Sequence, residues 1–185
     1  MKNFIQPTYT HISRIAIVFA LTLLLIQCKK DSPDEINEEE VINRVTLTVT
    51  AADGSSNDYT WNEGGTEPTI TLAANTTSNV SIQFFDASDA SDIEDITEEV
   101  TEEADEHFVF YQVSSAAVTI SAASNDIEDS DGASINLKTQ WAAAGASSGI
   151  VRVYLIHEPT SKTGTSRGEL GGSTDVELDF PVTIQ

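Results

Sequence analysis

From Asn43 onward the chain alternates apolar and polar side chains. Val45, Leu47 and Val49 fall on one face of an extended segment and threonines fall on the other, which is the period of a half-buried strand. Similar runs recur at 68–73, 78–85, 107–113, 116–121, 134–141, 150–157 and 174–184, with a short one at 59–61. Eight or nine strands in a chain of this length predict an all-β domain, a single β-sandwich of the immunoglobulin-like or a similar type.

Residues 91–106 depart from this alternation. Ile93, Ile96 and Val100 are spaced as on one face of a helix, and Ser91 followed by Glu94 has the spacing of a capping box. The opposite face is acidic, with Glu94, Asp95, Glu98, Glu99, Glu102 and Glu103. We therefore expect one short acidic helix whose apolar stripe packs on the sandwich.

The N-terminus has a third pattern, in which basic residues precede a run of twelve apolar or small residues at 15–26 and a cysteine follows at position 28. This order is typical of an export signal, and the run is shorter than the roughly 20 residues that a membrane-spanning helix needs. The segment Leu-Ile-Gln-Cys at 25–28 resembles the lipobox of signal-peptidase II substrates, with Gln27 in place of the usual small residue. That resemblance implies a signal peptide at 1–27 and lipidation of Cys28. The alternative is an ordinary secretory signal followed by a chance cysteine.

Residues 28–42 hold the lipidated cysteine and then an acidic run with a proline, without a hydrophobic period long enough to pack. Such a composition predicts a disordered tether, which leaves 43–185 as the folded domain. Acids close behind the cysteine also resemble the surface-export signals of Bacteroidota lipoproteins. We therefore expect a lipid anchor in the outer membrane with display on the cell surface, and retention facing the periplasm is the alternative.

Charge narrows the range of partners. All 30 acids follow Cys28, while two of the nine basic residues precede it, so the chain after the signal has a net charge of 7 − 30 = −23. This charge argues against nucleic acid and anionic lipid surfaces as partners and favours cations or basic protein patches. Cys28 is also the only cysteine, so no disulfide can form within one chain, and we expect a monomeric domain held together by burial.

Two sequence patterns resemble known functional motifs, but the residues around them do not match the structure that each motif requires. Residues 145–149 match the G-x-S-x-G pattern of hydrolases, but Ser147 precedes a strand rather than following one, so we expect a hairpin turn there. Asp126, Asp129 and Asp131 before Gly132 have the composition of a calcium loop without EF-hand register. We therefore predict no catalytic residue and no resident cofactor, with a loosely built calcium turn as the alternative for 126–132.

The two histidines after the signal, His107 and His157, give a more specific hypothesis. His107 opens one predicted strand and His157 closes another, so the two would lie side by side if these strands were antiparallel neighbours. Imidazoles with the adjacent carboxylates of Asp105, Glu106 and Glu158 would suit zinc or a similar divalent metal. The alternative is that both histidines are ordinary surface or hydrogen-bonded residues.

The segment 159–173 is long for a sandwich loop. It holds two of the few cations, Lys162 and Arg167, which makes it a candidate partner-binding loop. A solvated loop is the alternative interpretation.

Several short segments, at 95–100, 102–107, 155–159 and 175–184, resemble small acidic Bacteroidota lipoproteins that accompany outer-membrane TonB-dependent receptors. This resemblance implies a non-catalytic binding or accessory module for an outer-membrane uptake or assembly partner, such as a TonB-dependent receptor. The alternatives are a divalent-metal-binding accessory protein that uses His107 and His157, and a hydrolase.

Overall fold

The computed structural model describes residues 41–185, so the signal peptide at 1–27, Cys28 and nearly all of the tether at 28–42 lie outside the described residues. In the described part the alternating runs form ten strands and two short helices. The strands are β1 (Arg44–Thr50), β2 (Ser56–Asn62), β3 (Ile70–Leu72), β4 (Thr76–Asp86), β5 (Glu94–Asp95), β6 (His107–Ser114), β7 (Val118–Ala122), β8 (Lys138–Ala143), β9 (Ser147–His157) and β10 (Ser173–Ile184). The helices are α1 (Ile96–Glu102) and α2 (Arg167–Leu170).

The strands form two sheets, which confirms the predicted all-β sandwich. Sheet A has the order β2-β1-β4-β8-β7, and β5 pairs with the end of β4. Sheet B has the order β3-β10-β9-β6. Within residues 41–185 the strand pairs are antiparallel except β3 with β10, which run parallel.

The alternation buries the positions that it predicts. Val45, Leu47 and Val49 of β1 are at most 5% exposed and belong to the main core between the sheets. Trp141 is fully buried there, and its indole N–H donates to the Thr139 hydroxyl at 2.9 Å. The indole therefore contributes apolar area to the core without leaving a buried donor unsatisfied.

A second, smaller cluster lies on the outer face of sheet B. It consists of Phe108, Tyr154, Ile156 and Leu170. Leu170 ends α2 and is fully buried, so the 159–173 segment packs on the sheet through this side chain. The long loop is therefore part of the fold rather than only a solvated connection.

A bridging segment, residues 135–137, connects the two sheets along one side of the sandwich. The backbone N–H of Val109 in sheet B donates to the Ile135 carbonyl at 2.9 Å, and that of Ile82 in sheet A donates to the Leu137 carbonyl at 3.0 Å. Asn136 between them has a left-handed backbone with φ 65°. The predicted strand at 134–141 therefore begins only at residue 138, because this segment crosses between sheets instead of extending within one.

Asp126 holds the bridging segment in place. Its two carboxylate oxygens accept hydrogen bonds from the backbone N–H groups of Asn136 at 2.6 Å and Lys138 at 2.7 Å. One side chain thus fixes both the left-handed turn and the first residue of β8.

The predicted helix at 91–106 is wrong at both ends. Helix α1 begins after Asp95, whose carboxylate accepts from the Thr97 backbone N–H at 3.0 Å, whereas the Ser91 hydroxyl donates to Asp89. Ile93 is 45% exposed and does not belong to the apolar stripe. Pairing of β5 with the end of β4 keeps residues 94–95 extended, and this pairing overrides the capping-box pattern.

The predicted hairpin turn at 145–149 is also wrong, because β8 belongs to sheet A and β9 to sheet B. The connection therefore crosses from one sheet to the other. At Gly149 a Cβ would clash with the backbone of residues 114 and 116, so this glycine permits a close approach of two chain segments. The described residues belong to one compact unit, and no helix among them is long and apolar enough to cross a membrane.

Candidate functional site

The two histidines lie side by side at one end of sheet B. Strands β6 and β9 pair antiparallel, and the register places His107 directly opposite His157. The Glu158 N–H donates to the Glu106 carbonyl at 2.6 Å, so the neighbouring pair is hydrogen-bonded and the histidine pair is not. Side chains come closer at non-hydrogen-bonded positions, which accounts for rings stacked at 5.0 Å between centroids.

His107 is the inner member of this pair. It is 1% exposed, and its Nδ1 donates to the Glu103 carbonyl, at 3.2 Å, just beyond helix α1. Burial lowers the pKa of His107, while the hydrogen bond to Glu103 and the carboxylate of Asp175 act in the opposite direction. His107 is therefore held mostly in the neutral form near neutral pH.

His157 is the outer member and lies among carboxylates. Its Nε2 is 3.6 Å from Oε2 of Glu106, and its side chain is 14% exposed. Glu158 follows in a left-handed backbone conformation with φ 49°. One potential ligand atom each from Glu106, His157 and Glu158 lies within 4.8 Å of the others.

The geometry thus brings together three of the five residues predicted as metal ligands. His107 stacks on His157 with an interplanar angle of 13°. The nitrogen lone pairs of an imidazole lie in the ring plane, so two nearly parallel stacked rings direct them in separate parallel planes rather than toward one ion. Asp105 lies apart from the set because its carboxylate accepts from the Ser130 backbone N–H at 2.7 Å, which lowers the pKa of Asp105.

The cations proposed for partner binding are held within the fold. Nζ of Lys162 donates to the Ala104 carbonyl and to Asp129, both at 2.7 Å, and this side chain is 10% exposed. The Arg167 guanidinium donates to the carbonyls of Gly171 and Gly172 and to a threonine hydroxyl. Both cations therefore help to order the 159–173 segment, and partner binding by this segment stays a prediction.

The Asp126 and Asp129 carboxylates of the acidic turn at 126–132 accept hydrogen bonds from groups of the same chain. Asp129 accepts from the backbone N–H groups of Asp131 and Ala133 and from Lys162, and these bonds lower the pKa of Asp129. Both oxygens of Asp126 likewise accept backbone N–H groups. Backbone amides and a lysine of the chain thus already donate to all four of these carboxylate oxygens.

A second feature is a groove of about 560 Å³ on the outer face of sheet A. Strands β1, β4 and β8 form its floor, and residues 123–125 form a wall beyond β7. The polar side chains that line it are Thr48, Thr50, Asn79, Ser81, Ser124, Asn125, Lys138 and Gln140. None of the described residues that line the groove carries a carboxylate.

The floor of the groove is preorganised by hydrogen bonds between strands. The hydroxyl of Thr48 donates to Asp58 at 2.7 Å, the hydroxyls of Thr50 and Ser56 are 2.8 Å apart, and Gln140 donates to Asn79 at 3.4 Å. Sequence reasoning did not identify this groove. The polar positions of each alternating strand are visible in the sequence. Only the order of the strands in the sheet shows which of these polar faces lie side by side and form the groove.

Ser147 has a structural role. Its hydroxyl accepts from the Ala117 backbone N–H at 2.9 Å, which ties the start of β9 to the segment before β7.

No protein-family model matches this chain, and comparisons with curated proteins and with solved structures give no significant match.

Proposed function

We propose that this chain is a lipid-anchored, non-catalytic accessory module of the outer membrane, displayed on the cell surface, that captures a small polar ligand for an uptake or assembly partner. The groove on sheet A carries the proposal. Its volume of about 560 Å³ lies within the range of small-molecule sites, roughly 300–1,000 Å³. Its floor consists of paired strands, which hold polar groups in fixed positions.

The anchor and the partner rest on the sequence. The lipobox-like segment that ends at Cys28 supports attachment to a membrane, and the short segments that resemble receptor-associated lipoproteins support a TonB-dependent receptor or another outer-membrane protein as the partner. The net charge of −23 after the signal would keep a tethered domain away from anionic surfaces.

The proposal is tested by purifying the lipidated full chain through an affinity tag from the membranes of a bacterium that carries it. We expect one outer-membrane protein to copurify in a fixed stoichiometric ratio. A variant with Cys28→Ser serves as the control, because it should lose the membrane partner together with the anchor. Recovery of the chain from the outer membrane without any stoichiometric partner would contradict the accessory role.

A divalent-metal site is the second candidate function, and the convergence of Glu106, His157 and Glu158 favours it. One imidazole and two carboxylates form a mixed nitrogen and oxygen ligand set that suits zinc. Two carboxylates so close together also repel each other, and a divalent cation would relieve that repulsion.

Zinc titration by calorimetry tests this site in the purified full chain. We expect one zinc ion to bind more tightly than about 1 mM. The paired variant Glu106→Gln/Glu158→Gln should lose this binding, whereas His107→Phe should retain it because His107 is not a ligand. A matched control, Glu98→Gln/Glu102→Gln, removes the same charge from helix α1, and equal losses in both paired variants would assign the binding to the acidic surface in general.

A further inference from the structure

Lys138 differs from the other cations of the described chain. Residues 41–185 contain five lysines and arginines, and four of them donate hydrogen bonds to acceptors within the fold. These four are Arg44, Arg152, Lys162 and Arg167. Lys138, at the start of β8, lines the groove on sheet A, and its ammonium makes no hydrogen bond or ion pair with the described residues.

The residues that line the groove beside Lys138 are neutral. Asp126 contacts the backbone of Lys138, and its two oxygens accept the N–H groups of Asn136 and Lys138 at 2.6 and 2.7 Å. On the neighbouring strand β4, Ser81 lies opposite Lys138 in the register, and Asn79 lies opposite Gln140. The ammonium is therefore set among hydroxyls and amides on a molecule that is otherwise strongly acidic.

We propose that the groove binds a small polyhydroxylated ligand with a single negative charge, and that Lys138 pairs with that charge. This inference rests on the groove of the proposed function and names the ligand class of the same site. The charge is a carboxylate or a sulfate ester, and a sugar acid is the simplest compound of this kind.

The lining determines the polyhydroxylated part of the ligand. Asn79, Asn125 and Gln140 each offer both a carbonyl acceptor and an N–H₂ donor, and the hydroxyls of Ser81 and Ser124 can act in either sense. Such groups match sugar hydroxyls, which also donate and accept. None of the described lining residues is aromatic, so the groove selects by hydrogen bonding and not by stacking.

The single ammonium determines the charge. A phosphate monoester carries about −1.5 to −2 at neutral pH and would leave charge uncompensated beside one lysine. A carboxylate or sulfate ester carries one charge and is balanced by one lysine. The acidic surface repels any anion at long range, but at physiological ionic strength this repulsion is screened beyond about 8 Å, while a direct contact is screened much less.

The test is calorimetric titration of the purified full chain in detergent at physiological salt with three disaccharides. Cellobiose is neutral, cellobiouronic acid adds one carboxylate, and cellobiose monosulfate adds one sulfate ester. We expect one or both anionic forms to bind about three- to tenfold more tightly than cellobiose, the range of one partly exposed charged contact. Whichever anion binds more tightly identifies the group that Lys138 recognises.

Three variants make the result specific. Lys138→Gln should remove the preference for the anionic sugars over the neutral one, and Ser124→Trp should fill the groove and weaken binding of all three sugars. Arg152→Gln removes the same charge from sheet B and should change nothing.

The possible failures are distinguishable. Equal binding of neutral and anionic sugars that Ser124→Trp abolishes would overturn the inference and leave the groove as a ligand site. Equal weakening by Lys138→Gln and Arg152→Gln would reduce Lys138 to a contribution to net charge and overturn the inference. Absence of binding by all three sugars would also overturn it, and the accessory role would then be judged by the copurification experiment alone.

Discussion

Removal of the Asp126 carboxylate should destabilise the sandwich, because this side chain holds the bridging segment between the two sheets. Its carboxylate accepts from the backbone N–H groups of Asn136 and Lys138, ten and twelve residues away in sequence. These bonds hold the bridging segment, through which sheet A and sheet B share backbone hydrogen bonds. Substitution of Asp126 by Ala should therefore affect the closure of the sandwich and not only a surface turn.

The size of the effect follows from the two hydrogen bonds. A hydrogen bond to a charged group contributes about 1.5–3 kcal/mol, and the bond to Lys138 is solvent-exposed, so its contribution is near or below the lower limit. We expect Asp126→Ala to lower the free energy of unfolding by about 2–4 kcal/mol. Asp126→Asn keeps one acceptor oxygen but turns an N–H₂ group toward the other backbone N–H, so it should cost at least half as much.

Urea unfolding monitored by tryptophan fluorescence measures this loss, because Trp141 is fully buried in the main core. Asp53→Ala is the matched control. The Asp53 carboxylate also accepts two hydrogen bonds, but both come from Ser55 in an exposed turn, so its removal should leave the unfolding midpoint close to that of the parent. Equal midpoints for Asp126→Ala and Asp53→Ala would refute the role of the bridging segment.

Three further predictions concern the histidine pair, the loop cluster and the anchor. Burial lowers the folded-state pKa of His107 below its ordinary value of 6.5, so the free energy of unfolding should be at its full value above pH 6.5 and decrease as the pH falls below it. His107→Phe should flatten this dependence in urea unfolding between about pH 7 and 5, and an unchanged slope would count against it. Leu170→Ala should lower the free energy of unfolding by about 2–4 kcal/mol in thermal or urea unfolding, since Leu170 is fully buried, and a smaller loss would show that the 159–173 segment is not part of the cooperative fold. Cys28→Ser should move the chain out of the membrane fraction on immunoblots, and continued retention would contradict lipidation.

Much of the fold could be predicted because alternation is a local signal. The alternation of apolar and polar residues in β1 and β10 predicts their inward positions, and the structure buries those positions. Register across chain-distant pairs is not a local property. The parallel pairing of β3 with β10 joins residues 70–72 to residues 182–184, and no pattern within either segment specifies it.

The errors at the acidic helix and at the bridging segment have a common cause. Ser91 and Glu94 satisfy the spacing of a capping box, but residues 94–95 pair with the end of β4 and remain extended. Asn136 lies inside a run that alternates apolar and polar residues as a strand would, yet its backbone turns left-handed where Asp126 accepts its N–H. In both cases a tertiary hydrogen bond overrides a local preference.

For the candidate histidine site, the positions of residues at the ends of strands predicted which side chains would lie together. A histidine that opens one strand and a histidine that closes another must lie together if the strands are antiparallel neighbours, and the register confirms this arrangement. Stacking of the rings was beyond sequence reasoning, because it depends on which residue pair in the ladder is hydrogen-bonded. Metal binding at Glu106, His157 and Glu158 stays a prediction.

The placement of cations gives the groove its significance. Acids outnumber lysines and arginines in residues 41–185 by 24 to 5. Lys162 and Arg152 pair with carboxylates within 3 Å, whereas Arg44 and Arg167 donate to amide, carbonyl and hydroxyl oxygens of the fold. Among these five residues of 41–185, Lys138 alone has no acceptor for its charged group, although the Asp126 carboxylate accepts its backbone N–H. An anion from outside the chain would give this ammonium a partner.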